Sequence, residues 1–201
     1  MNTPYPANAD SRGASAQDGP VLQSLKASAL RYRELAAKLS LEELRRHPSD
    51  DEWSLGQMLM HLVGSALHMQ LANAKRCLET SAADEVFEGK TETGEAVFRT
   101  GSFPPVRIKV PASPQYTPAQ PESKEEIFAG LERVVAAAEE LEPLVAERSG
   151  QRTAPHPSFG GLNAAEWLKL TEMHYRHHFL QEERLLDWLH ADRRTAPMPP
   201  S

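Results

Sequence analysis

Leu170-Thr171-Glu172-Met173-His174-Tyr175-Arg176-His177-His178-Phe179-Leu180-Gln181 sets two histidines four residues apart, with a third beside them. At about 100° per residue, His174 and His178 stack one turn apart on one helical face. Trp167, Leu170, Thr171, Gln181, Leu185 and Trp188 share that face, while Lys169, Arg176, Glu183 and Asp187 take the other side. The histidines therefore point inward. Two readings compete for them: hydrogen bonds to a neighbouring helix, or a shared metal ion. Burying several imidazoles without partners costs about 1–3 kcal/mol for each unsatisfied group, which favours the metal.

Helical periodicity recurs in the segments that precede this one. The first runs from about Pro20 to Leu39, with Asp18 as its expected cap, and a short turn after it is signalled by Ser40 and Glu43. The second is expected from Ser54, boxed by Gln57, to about Thr80. The third starts at Ser123, boxed by Glu126, and ends or kinks at Pro143. The last starts at Asn163, boxed by Glu166, and is expected to reach about His190. These four helices make the chain an expected all-α bundle spanning residues 20–190. Residues 1–19 and 191–201 are expected to be disordered ends.

The second helix has no Asp, Glu, Lys or Arg between Ser54 and Ala74. A segment so free of charge must be buried on most sides. Six polar side chains, among them Gln57, His61, Ser65 and His68, are too many for a membrane span. Its apolar arc is wide enough to suggest packing on a second subunit, so a homodimer is expected. The stripe of Ser54, Gln57, His61, Gly64, Ser65 and His68 is expected to line a cavity. His61 thus joins His174 and His178 as a third nitrogen donor, and three donors leave a coordination position open for water or substrate.

The sequence has 22 basic and 28 acidic side chains, a net charge of −6, and its basic residues form no run that could grip phosphates. Nucleic acid is not an expected partner. The one cysteine, Cys77, has no internal disulfide partner, which fits a reducing cytoplasm. Between the second and third helices, residues 81–122 form a long connection that is proline-rich towards its end, with Val106 to Val110 alternating like one short strand. It is either a solvated linker or a cover over the bundle end.

Trp53-Ser54-Leu55-Gly56-Gln57 with His61-Leu62, His156-Pro157-Ser158-Phe159-Gly160, Glu166-Trp167-Leu168, and His174-Tyr175-Arg176-His177-His178 with Gln181 together resemble the DinB-like family, also called YfiT-like. The resemblance covers about Pro20 to Leu189. It implies a four-helix bundle of up-down-down-up topology, often dimeric, that binds a divalent metal through His61, His174 and His178. Some members transfer low-molecular-weight thiols and others resemble hydrolases or isomerases, so the implied substrate is a small molecule, with a thiol as one candidate. Zinc and nickel suit imidazole donors best, and manganese or iron are alternatives. His68, His177, Gln57 and Gln181 are candidates for the pocket or for holding the ligands' second nitrogens. No general base can be named: Glu172 and Glu183 fall on the outer half of the last helix. The competing function is a non-catalytic, dimeric metal- or ligand-binding protein. A role in DNA repair has no basic surface to support it.

Overall fold

The computed structural model describes residues 18–79, 89–104, 117–148 and 152–195. Helix α1 spans Pro20–Lys38. Proline is tolerated at its first position because a first-turn N–H has no intrahelical partner to lose. The N-cap is Gly19, not Asp18, and no side chain caps it. Asp18 instead accepts from Lys26 Nζ at 2.6 Å, a charged donor that competes well against a backbone amide. Helix α2, Leu41–Arg45, opens with the expected Ser40–Glu43 box.

Helix α3, Leu55–Ser65, opens with the Ser54–Gln57 box, but the expected unbroken second helix is interrupted. Ala66–Gln70 forms a π turn in which the Leu71 N–H reaches the Ala66 carbonyl, and helix α4 follows as Leu71–Leu78. The long connection contains a helix that its sequence did not announce, α5, Glu92–Thr100. Val106 to Val110, the expected strand, lie outside the described residues, as do residues 1–17. Helix α6, Lys124–Arg148, starts with Ser123 Oγ accepting the Glu126 N–H at 3.2 Å. The Glu126 carboxylate reaches the Glu122 N–H at 2.7 Å, one residue earlier than a capping box. Pro143 sits inside α6 without ending it. It is exposed, so the hydrogen bond its ring removes is lost on the solvent side.

One small hairpin interrupts the helices, and the mostly helical chain stays consistent with the all-α reading. Strand β1, Thr153–His156, pairs antiparallel with strand β2, Gly160–Asn163. Gly160 has φ 77°, and a Cβ there would lie 2.7 Å from the Gly89 carbonyl oxygen. Only glycine satisfies both constraints. The close approach docks the hairpin on the start of the α5 segment: Gly160 bridges Lys90, and the Thr91 N–H donates to the Phe159 carbonyl at 2.9 Å.

Helix α7, Ala164–His177, opens with the expected Asn163–Glu166 box. The single last helix expected from the sequence bends at His178 and resumes as α8, Phe179–Thr195. Residues 191–195, expected in the tail, are therefore helical, and the helix stops short of Pro197.

The protein is mostly helical. Helix α1 lies against α6 and α7, and α4 lies against the same two. Leu22, Leu25, Tyr32, Leu59, Leu62, Ile127, Leu131 and Trp167 fill the space between them. Helices α6 and α3 come close at Gly130, where a Cβ would lie 2.8 Å from Val63 Cγ1. The apolar arc of α3 is covered by the chain itself: Leu55, Met58, Leu59, Leu62 and Val63 are all buried. Met60, Leu67 and Met69 remain half-buried. Among the described residues, no helix is long and apolar enough to cross a membrane.

Candidate metal centre

The π turn and the bend at His178 flank one cluster. Nε2 of His174 lies 3.2 Å from Nε2 of His61 and 3.1 Å from Nε2 of His178. One candidate ligand atom from each ring falls within 4.8 Å of the others. Imidazole nitrogens at about 2.1 Å from one ion stand roughly 3.0–3.4 Å apart, a range that contains both separations from His174. His61 comes from the middle of α3, and the other two come from either side of the junction between α7 and α8. The capping boxes at Ser54 and Asn163 set where those helices start, and hence which residues face each other.

Each ring also has a neighbour at its second nitrogen. His178 Nδ1 is 2.8 Å from Gln181 Oε1, an atom that can only accept, so Nδ1 carries the proton and the Nε2 lone pair faces the cluster. His61 Nδ1 lies 3.3 Å from Ser65 Oγ. His174 Nδ1 lies 3.1 Å from Gln70 Nε2. Burial pushes His61 down to about 4 and His178 down to about 3. His174 is held well below the ordinary histidine value by burial and then by the neighbouring His178 and His61. All three rings are thus neutral at physiological pH, so no ring charge opposes a cation. The donor set fits a divalent ion.

The model of the DinB superfamily matches residues 24–181. The chain belongs to the DinB superfamily. The matched span runs from α1 to Gln181 and so contains all three histidines and the bend between the last two helices. The DinB superfamily is metal-binding, and the three-histidine group is where this member could hold an ion. No curated protein matches the chain.

The cluster is walled by aromatic rings. Trp53, just before α3, stands 4.9 Å from the His61 ring, centroid to centroid. Phe103, after α5, stands 6.3 Å from the His174 ring and 5.1 Å from the His177 ring. Phe103 packs in turn on Phe159 of the hairpin turn, which stacks on His156 at 4.3 Å. Phe103 thus brings one residue of the long connection beside the histidines. His156 Nδ1 accepts the Ser158 and Phe159 N–H groups and holds the hairpin turn.

The other expected pocket residues divide. Gln181 holds a ring nitrogen of the cluster, and His177 sits at its edge against Phe103 and the His178 ring. Gln57 spends its amide on its own cap and on the Pro118 carbonyl, which pins the far end of the long connection to α3. His68 is exposed. The π turn explains this, because its extra residue rotates the next part of the helix by about 100° and brings Gln70 to the cluster in place of His68. Glu172 is buried, not outward as expected: it accepts from Ser24 Oγ at 2.6 Å and pairs with Arg176, facing α1 and away from the histidines. Nothing in the sequence pointed to Gln70.

Proposed function

We propose that the chain folds as the up-down-down-up four-helix bundle implied by its resemblance. In this reading it binds one divalent ion through Nε2 of His61, His174 and His178, and acts as a metal-dependent enzyme on a small electrophile in a reducing cytoplasm. The observation that carries this reading is the convergence of three Nε2 atoms from residues far apart in sequence, each ring engaged at Nδ1 by its own neighbour. Zinc or nickel is the preferred ion. When bound by three neutral ligands, such an ion keeps its full charge and lowers the pKa of a water or thiol towards neutrality.

The chain's own residues do the rest. Gln181 and Ser65 orient the His178 and His61 rings. Trp53 and Phe103 exclude water from one side and offer flat apolar faces to a substrate. His177, half-buried beside Phe103, is the nearest nitrogen base outside the cluster and is the candidate to take the proton released by the nucleophile. Thiol transfer is preferred to hydrolysis, because three neutral ligands favour an anionic fourth partner and a thiol reaches that form more easily than water.

A panel of thiols and electrophiles, tested with the zinc- and nickel-loaded protein against a His61→Ala control, decides the matter. Consumption of a thiol or of an ester above that control supports the enzyme. Metal binding without any turnover leaves the alternative, a metal- or ligand-binding protein. That second reading is favoured by the turning of Glu172 away from the cluster, which removes the carboxylate a hydrolase would use.

A further inference from the structure

The neighbour of His174 is the odd member of the set. Gln181 presents an oxygen to His178, whereas Gln70 presents its amide nitrogen to His174 Nδ1, and Gln70 Oε1 is buried with no partner among the described residues. In that arrangement Gln70 donates to Nδ1, so a neutral His174 carries its proton on Nε2. That proton points at the Nε2 atoms of His61 and His178, in the place a cation would occupy. Turning the amide over exchanges its two ends without changing its shape. Oε1 then accepts from a protonated Nδ1, and the Nε2 lone pair faces the cluster. Either orientation leaves one end of the amide without a partner, so burial does not choose between them. The position of the proton on His174 does.

We propose that Gln70 is the positioning residue of His174, and that its amide turns over when the ion binds. The inference rests on the metal reading given above. In the metal-free form the amide stabilises the Nε2–H tautomer. On loading, one proton leaves Nε2 and one is taken up at Nδ1, so the ring stays neutral while its lone pair moves to the metal side. The π turn makes this possible. In an unbroken α-helix Gln70 would stand about 180° from His61, on the far side of the segment. The extra residue, marked by the bond from the Leu71 N–H to the Ala66 carbonyl, swings Gln70 onto the flank that meets α7.

Nitrogen-15 NMR of histidine-labelled protein reads the tautomer directly, and competition with a chromophoric chelator reads zinc affinity. Wild type is expected to show His174 as Nε2–H without zinc and Nδ1–H with it. Gln70→Glu, which can only accept, is expected to show Nδ1–H in both states. Gln70→Leu, which can do neither, is expected to weaken zinc binding about 10- to 100-fold with unchanged helical content. The proposal is overturned if wild-type His174 keeps one tautomer throughout, if the metal-free tautomer is the same in Gln70→Glu as in wild type, or if folded Gln70→Leu binds zinc as tightly as wild type. Should Gln70→Leu not fold, the tautomers of wild type and Gln70→Glu decide. A wild type that binds no zinc would sink the metal reading, while the metal-free comparison with Gln70→Glu would still test the hold of Gln70 on His174.

Discussion

His61 and His174 bring their Nε2 atoms to 3.2 Å across 113 residues of chain. That approach needs α3 and α7 to start at the right residue and α7 to lie against the π turn and α4 that continue α3, so the cluster reports on the whole helical frame. The frame in turn does not depend on the cluster. Its stability comes from apolar side chains such as Leu25, Leu59, Ile127 and Trp167, each almost fully buried.

His178→Ala is therefore expected to abolish retained metal while leaving the helical signal intact. Protein purified without a polyhistidine tag should carry about one divalent ion per chain, and the variant close to none. Elemental analysis and circular dichroism on the same samples check both halves. Unfolding of the variant would mean that the histidines brace the bundle.

Acid should weaken the metal-free protein over a defined window. The ordinary histidine value is 6.5, and in the folded state His61 lies at about 4 and His178 at about 3. Above pH 6.5 both rings are neutral in both states and add no pH dependence. Below it the unfolded chain takes up protons that the folded protein refuses, so stability falls as pH drops and levels off once the lower values are passed. Urea midpoints at pH 7, 6 and 5 should decline in wild type and decline less in His61→Gln/His178→Gln. Equal slopes would show that the rings are not held neutral.

Gly160→Ala is expected to cost about 1–3 kcal/mol, because the new methyl meets the Gly89 carbonyl at 2.7 Å and the backbone there has positive φ. Thermal or urea unfolding measures the loss. An unchanged midpoint would mean that the hairpin is not docked on Lys90 and Thr91.

The proposed homodimer now depends on a smaller surface than the uncharged α3 suggested, since most of its apolar arc is covered within one chain. Half-buried Met60, Leu67 and Met69 remain for a partner. Light scattering at micromolar concentration should give twice the chain mass of 22.3 kDa. A mass of one chain would end the dimer reading.

The histidines were legible in the sequence because a spacing of four survives any small change in helix length, and the boxes at Ser54 and Asn163 because a capping pair is local. What stayed hidden depends on contacts from elsewhere in the chain. No residue type marks the π turn, so His68 stood among the candidates and Gln70 did not. Glu172 points outward on an isolated helical wheel, and only the arrival of α1 with Ser24 buries it. Strands of four residues around His156-Pro157 are too short to show alternation, and α5 forms where Thr91 Oγ1 caps Gly94 at 3.1 Å, without the Glu or Gln at the third position that announced α2, α3, α6 and α7.

The described parts around the long connection are fastened at three points: the Glu79 carbonyl accepts from Arg152, the Gly89 carbonyl from Gly161, and the Pro118 carbonyl from Gln57. Changing the length of chain between two fixed anchors costs little, about 0.6 kcal/mol for each doubling. New sequence spliced in between Glu79 and Gly89, or between Phe103 and Pro118, is therefore expected to leave the histidines where they are. Such a chain would serve as a scaffold on which the three histidines stay fixed while the connection that carries Phe103 is rewritten by insertion, whether by natural variation or in a library selected for a new substrate.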